Sequence, residues 1–214
     1  MYAKIVKRLI DIILSFIGLI VLLPVYLIVS IAIIIDNPGP IFFTQKRVGK
    51  KMKPFKLHKF RSMKVNTPNL PTHLLENPEQ YITCVGKFIR KYSIDELPQI
   101  FDILLGKMSI IGPRPALFSQ EDLLAEREKF GANDVTPGLT GWAQINGRDE
   151  LPIDVKARFD GEYVKKLNKG GFTAFKMDCK CFMGTILKVF KHEGVKEGAT
   201  DKTEANKENE KTKV

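Results

Sequence analysis

From Leu9 to Ile35 the chain is almost uninterruptedly apolar, relieved only by Asp11, by small or hydroxyl residues and by Pro24. As one straight helix such a run reaches about 40 Å, more than the roughly 30 Å of bilayer hydrocarbon. It is too long for a signal peptide, and no small-residue cleavage site follows it. Two membrane arrangements accommodate it. A single-pass helix would place its flanks on opposite sides, whereas a re-entrant helix bent near Pro24 would return both flanks to one side. Lys4, Lys7 and Arg8 precede the run, and Lys46, Arg47, Lys50, Lys51 and Lys53 follow it. Basic flanks prefer the cytoplasmic side, so both ends favour the cytoplasm. Pro24 removes a backbone hydrogen bond and is a physical cause for a bend, but membrane prolines also occur in kinked helices that span fully. These residues leave both arrangements open.

With 214 residues the chain has room for one domain with a proper core plus extras. Its formal net charge of +10 and pI near 9.4 point to an anionic partner: a phospholipid surface, a nucleotide or nucleic acid. Cys84, Cys179 and Cys181 form neither a CxxC pair nor a metal-like cluster with the three histidines, so free structural thiols in a reducing compartment are expected. His58, His73 and His192 receive no role.

Asp36-Asn37-Pro38-Gly39-Pro40 breaks the apolar run. Ile41–Gln45 and Phe55–Phe60 read as short strands of a hairpin, with Gly49 and its neighbouring lysines at the turn. Lys59 and Arg61 flank Phe60, a solvated strand end or an anion site. The stretch from Val65 to about Pro78 is an aperiodic loop and a candidate lid. Ile82, Val85, Ile89 and Tyr92 then recur at helical spacing, with Arg90 off that stripe.

An acidic pair, Asp95-Glu96, follows directly. Ser93-x-x-Glu96 fits a capping box; alternatively Asp95 is itself the N-cap, with Pro98 in the first turn. Either way Asp95 would lie at the positive end of a helix running to Gly106, which favours its ionised form. An ionised carboxylate there can ligand Mg²⁺ or attack phosphorus, although a plain helix start accounts for the same residues. Downstream, Arg114 is held between Pro113 and Pro115, a stiff presentation that suits phosphate gripping or an ordinary turn. A charged, solvent-facing helix is expected from Ser119 to near Gly131. Val135–Arg148 then brings three glycines, which allow close backbone approach to a ligand, and ends in Arg148, a second candidate phosphate clamp. Neither a Walker loop nor a dinucleotide fingerprint is present. Trp142 reads as a packing residue. Val155, Phe159, Tyr163 and Leu167 mark a one-faced helix. Phe172 to Phe190 form a basic amphipathic stretch that can lie on an anionic membrane or cover the core. The tail from Glu193 has the composition of disorder.

The order of these segments carries a resemblance. Lys7-Arg8-Leu9-Ile10-Asp11 opens the apolar run, and two stretches follow, from Pro38 to Gly49 and from Phe55 to Met63. Next come Ser93-Ile94-Asp95-Glu96-Leu97-Pro98-Gln99, Ile110-Ile111-Gly112-Pro113-Arg114-Pro115, and Pro137 through Arg148. Together they resemble the monotopic phosphoglycosyl transferases, the bacterial sugar transferase family, over roughly residues 1 to 190, as a small member with the catalytic domain only. The resemblance implies transfer of a sugar 1-phosphate from a UDP-sugar to polyprenyl (undecaprenyl) phosphate, releasing UMP, through a covalent phosphosugar–aspartyl intermediate. It implies Asp95 as nucleophile and ligand of Mg²⁺, Glu96 as its partner, and motif positions for Arg90, Arg114 and Arg148. Pro24 matches the family's helix-breaking proline, which favours re-entry. Two stretches depart from the family pattern: Leu167–Phe172, where Asn-x-Ser is usual, and Asn66–Glu79, which matches nothing recognisable.

The expected fold is α+β and mainly helical, with a re-entrant membrane helix over residues 1–36. A catalytic domain at the membrane interface would occupy residues 37–192, with interfacial amphipathic helices around a site on the cytoplasmic face of a bacterial inner membrane. Residues 193–214 would be a disordered tail. Lys59, Arg61, Arg90, Arg114 and Arg148 are the expected substrate-binding cations; Lys7, Arg8 and Pro24 belong to the membrane anchor. No nucleic acid partner is expected of such an enzyme. A basic membrane adaptor would share the charge and the anchor but has no use for Asp95 and Glu96 among arginines. A Mg²⁺-dependent membrane phosphatase would release free phosphate, and the Asp-x-Asp-x-Thr motif is absent.

Overall fold

The computed structural model describes residues 2–68, 77–147 and 151–191. Arg148, His73, His192, the tail from Glu193 and the middle of the Asn66–Glu79 loop lie outside the described residues. Mainly helical, with two small sheets, the fold is α+β as expected. One π-helical turn, Tyr2–Val6, leads into α1, Lys7–Asp36, which runs continuously through Pro24. The hairpin strands are β1, Phe42–Val48, and β2, Pro54–Phe60. Next come α2, Cys84–Lys91, a 3-10 turn at Ile94–Glu96, and α3, Gln99–Leu104. Then follow β3, Ser109–Ile111; α4, Glu121–Glu128; β4, Gly138–Thr140; α5, Trp142–Ile145; α6, Ile153–Lys169; and α7, Gly171–Lys191.

Among the described residues α1 is the one helix long and apolar enough to cross a membrane by length and composition. It has two unlike faces. Leu9, Ile13, Phe16, Ile20, Val21, Leu27, Ile31 and Ile35 are exposed, whereas Lys7, Asp11, Ser15, Val29 and Ile33 are buried. The buried face lies along the rest of the molecule from one end to the other. Near its start Arg8 donates to the carbonyls of Ile103 and Leu104, at 2.6 and 2.7 Å, and Asp11 accepts from the Ile110 N–H at 3.0 Å. Further along, the Tyr26 hydroxyl donates to the Leu97 carbonyl at 2.7 Å. Val29 and Ile33 pack with Phe60 and Ile89, and Asp36 accepts from the Val85 N–H at 2.8 Å. Lys7 and Arg8, expected as membrane-flanking cations, are engaged inside the protein. Lys7 pairs with buried Asp178 at 2.9 Å, and Arg8 binds two carbonyls at the C-terminal end of α3.

The hairpin forms as expected, antiparallel, from Phe42 opposite Phe60 to Val48 opposite Pro54. The second sheet was not expected: β3 and β4 pair in parallel, Ser109 opposite Gly138 and Ile111 opposite Thr140. Here the glycines have a different task from approaching a ligand. A Cβ on Gly138 would stand 2.1 Å from the Gly112 nitrogen, and one on Gly141 would stand 2.2 Å from the Gly112 oxygen. Backbone packs on backbone, and no side chain fits.

The α4 helix is less solvent-facing than its charge suggests, because Leu123, Leu124 and Arg127 are buried. Leu123 and Leu124 cluster with Val48, Ala116 and Ala157. On α6 the buried face runs through Ala157, Asp160, Gly161, Tyr163, Val164 and Leu167, so Val155 and Phe159 sit at its margin. Gly170 and Gly171, where the family pattern is broken, both adopt positive φ (69° and 52°) and turn the chain into α7. That helix buries Ala174, Met177, Asp178 and Cys181, while Phe172, Phe182, Met183 and Leu187 are exposed. Asp178 also accepts from the hydroxyls of Tyr2 and Tyr163, each at 2.8 Å, which fastens the N-terminal turn to α6 and α7.

Candidate active site

Asp95 and Glu96 lie in the 3-10 turn between α2 and α3, and neither capping arrangement forms. Ser93 is left-handed (φ 54°) and its side chain caps nothing, while Pro98 occupies the position before α3. A three-residue turn has too few aligned peptides for a helix dipole, so neighbouring side chains set the charge of Asp95.

Those neighbours arrive from three parts of the fold. Lys59, on β2, places its Nζ 3.0 Å from Glu96 Oε1 and 3.4 Å from Asp95 Oδ2. From the loop after β3, Arg114 donates to both oxygens of Glu96, at 2.7 and 3.4 Å. Arg90, in the last turn of α2, lies close enough for its charge to act on Asp95. The two carboxylates are 5% and 8% exposed. Burial pushes the Asp95 carboxyl above its ordinary range; Lys59 pulls it back, the Glu96 charge adds to the rise, and Arg90 opposes it. Burial likewise lowers Arg90, against the pull of Asp95.

The two acids are held differently. Both oxygens of Glu96 receive cationic donors. Among the described residues Asp95 takes one long hydrogen bond, from Lys59 to Oδ2, which leaves Oδ1 uncommitted. Glu96 is built as an anchor for cations, and Asp95 as an acid with an oxygen available for chemistry. No group of three or more His, Cys, Asp or Glu able to hold a metal occurs among the described residues. Mg²⁺ characteristically takes one or two carboxylates and completes its shell with water and substrate phosphate. Asp95 fits that mode.

The structure therefore brings together Asp95, Glu96, Lys59, Arg90 and Arg114. Arg61 goes elsewhere. It lies just past the end of β2, 7% exposed, and its guanidinium donates to the Asn37 side chain (2.9 Å) and to the Asn37 carbonyl at the exit of α1. Three supporting residues escaped sequence reasoning. Fully buried Asp102 accepts from the His58 backbone N–H (2.9 Å) and lies 2.8 Å from the His58 ring Nδ1, tying α3 to β2 beside Lys59. Arg127 and Asp160 form a second buried pair behind Arg114. A periodicity count that treats charged residues as surface cannot find them. Trp142 packs as expected, edge-on to Phe159, with Lys180 over its ring.

Residues 2–192 match a family model described as "Bacterial sugar transferase". Among curated proteins, the chain is 40% identical over 171 residues to the UDP-glucose:undecaprenyl-phosphate glucose-1-phosphate transferase of Escherichia coli (strain K12), a match over 76% of this chain and 37% of that protein. It is 36% identical over 168 residues to the UDP-N-acetylgalactosamine-undecaprenyl-phosphate N-acetylgalactosaminephosphotransferase of Aeromonas hydrophila, over 76% of this chain and 40% of that protein. These two matches span well under half of the relatives' length. An uncharacterized sugar transferase of Bacillus subtilis (strain 168), EpsL, is 38% identical over 194 residues, 90% of this chain and 91% of its own.

Proposed function

The chain belongs to the bacterial sugar transferase family, and from that premise we propose that it transfers a sugar 1-phosphate from a UDP-sugar to undecaprenyl phosphate or a similar polyprenyl phosphate, releasing UMP. The unequal hold on the two carboxylates carries this reading. Asp95 Oδ1 attacks the sugar-bearing phosphorus of the donor; an O–P bond forms, the bond to the UMP oxygen breaks, and UMP leaves. A phosphate oxygen of the lipid then attacks the same phosphorus and returns Asp95 to its carboxylate. Glu96 holds Lys59 and Arg114 in place, and Lys59, Arg90 and Arg114 offset charge on the diphosphate. Asp95 would hold Mg²⁺ together with the donor's phosphates, and the bound cation would supply further charge neutralisation there.

The relatives are named for glucose and N-acetylgalactosamine donors, so the donor is taken to be a UDP-hexose of that class. The test is UMP release across a panel of UDP-sugars with polyprenyl phosphate and Mg²⁺. Continued turnover that requires lipid phosphate and metal supports the reading; free phosphate in place of UMP contradicts it.

Re-entry of α1 is part of the same proposal, and its buried face supports it. Arg8 and Asp36, near the two ends of the helix, both bond to one globular unit. A helix crossing the bilayer would separate those ends by its full thickness. The outer, apolar face would then sit in lipid, with the site at the cytoplasmic interface where a soluble donor and a lipid acceptor meet. Single cysteines placed just before and just after α1, in a Cys-free background, are expected to react with a membrane-impermeant thiol reagent from the cytoplasmic side only. Labelling of the first from the outside would rule re-entry out.

A further inference from the structure

We propose that Arg127 and Asp160 are positioning residues that set the reach of Arg114 to the catalytic carboxylates, a role that rests on the transfer reading above. Arg127 comes from α4 and Asp160 from α6, and both are buried, at 4% and 0% exposure. The Arg127 Nε and Nη2 meet Asp160 Oδ2 at 2.8 and 2.6 Å. The remaining arm, Nη1, donates to the backbone carbonyl of Arg114 at 3.0 Å. Arg114 in turn grips Glu96, and Glu96 holds Lys59 against Asp95. A chain of charge-assisted bonds thus runs from α6 to the nucleophile.

The loop bearing Arg114 has no regular structure of its own, and its carbonyls show how it is held. The Pro113 carbonyl accepts from the Gly138 N–H at 2.9 Å, and the Ala116 carbonyl from the Val48 N–H at 2.9 Å. Pro115 accepts from the Arg47 guanidinium at 3.2 Å. The Arg114 carbonyl, at the centre, depends on Arg127. A buried ion pair is a poor source of stability, because desolvation offsets much of its attraction. A planar guanidinium that satisfies a carboxylate with two nitrogens and a carbonyl with the third is, however, a rigid spacer that lysine cannot copy. Among the described residues the Asp160 Oδ1 is buried with no hydrogen-bond partner, so the hydrogen bonding of this carboxylate is directed to Arg127.

The test pairs two variants with a turnover assay. Arg127→Met with Asp160→Leu replaces the pair by apolar groups of similar size, a change that buried pairs commonly tolerate. Arg127→Lys keeps a cation beside Asp160 but shortens its reach, so the question survives if the double variant does not fold. In whichever variant melts within a few degrees of wild type, kcat is expected to fall about 10²-fold while KM for the UDP-sugar changes little. In an Arg114→Lys background the same changes should add almost nothing, since they act through Arg114. Guanidinium signals of ¹⁵N-arginine protein, with Arg114 assigned by its loss in Arg114→Lys, supply a readout apart from turnover. The Arg114 signal should broaden or average once the pair is gone. Wild-type kcat in a folded variant, additive losses with Arg114→Lys, or an unchanged Arg114 signal would each overturn the inference. An inactive wild type would instead contradict the transfer reading, and the Arg114 signal alone would then decide the positioning role.

Discussion

Asp95→Asn is expected to remove UMP release by on the order of 10³-fold or more while leaving the protein folded and at least as heat-stable as wild type. The two halves of this result have one cause. Burial raises the Asp95 carboxyl above its ordinary 3.8, so the folded protein prefers the protonated acid more than the unfolded chain does. The stability contributed by that preference is complete at low pH and lost as pH rises through the folded value. At neutral pH the ionised Asp95 is therefore a strain on the fold, and asparagine, which resembles the neutral acid, relieves it. Thermal melts in detergent at pH 7 should place Asp95→Asn level with or above wild type, with the difference shrinking as pH is lowered. Wild-type turnover should weaken on acidification, with its acid limb above 3.8, because protonated Asp95 cannot attack phosphorus. A variant that melted well below wild type at pH 7 would mean that Asp95 holds the fold together rather than being held by it.

Gly138→Ala should be among the most damaging single-methyl changes in the molecule. The added carbon would meet the Gly112 nitrogen at 2.1 Å, and the Gly112 Cα and Thr140 oxygen at 2.6 Å. All three are backbone atoms, so no side chain can swing aside. Either β4 leaves β3, or the loop that carries Arg114 moves. A loss of about 4 kcal/mol or more is expected, enough to prevent accumulation of folded protein, with UMP release lost alongside. Gly131→Ala is the control. Its φ of 65° is left-handed, unlike that of Gly138, but nothing lies within 4 Å of the new carbon, so the cost should stay at about 1 kcal/mol. Chemical denaturation of both variants checks the contrast. Equal losses would mean that the close backbone packing at Gly138 costs no more than left-handed strain at Gly131, which would contradict the account.

What the sequence made legible follows from range. The apolar run, the hairpin and the acidic pair are written in contiguous residues, and each was found. The delivery of Arg114 was not, because it depends on a parallel pairing of two three-residue strands separated by the whole of α4. Strands that short, bounded by Gly and Pro, leave no periodic signal. The capping box at Ser93 misled for a different reason: a left-handed Ser93 puts the same Ser-x-x-Glu spacing into a 3-10 turn, and sequence spacing does not report φ. Arg61 shared a strand end with Lys59 and looked equivalent, yet one cation reaches the carboxylates and the other closes the exit of α1. Arg127 lies on a helix whose charges read as solvated and Asp160 on one read from its apolar stripe, and only the packing of α4 on α6 makes them a buried pair.

The measurement that bears most directly on the central claim is the intact mass of the wild-type protein, mixed with its UDP-sugar donor and Mg²⁺ but no lipid acceptor. A gain of one sugar phosphate is expected, mapped by peptide analysis to Asp95, absent from Asp95→Asn and discharged when polyprenyl phosphate is added. UMP release in the full reaction with no such adduct at any time, or an adduct on another residue, would contradict the assignment of Asp95 as the nucleophile.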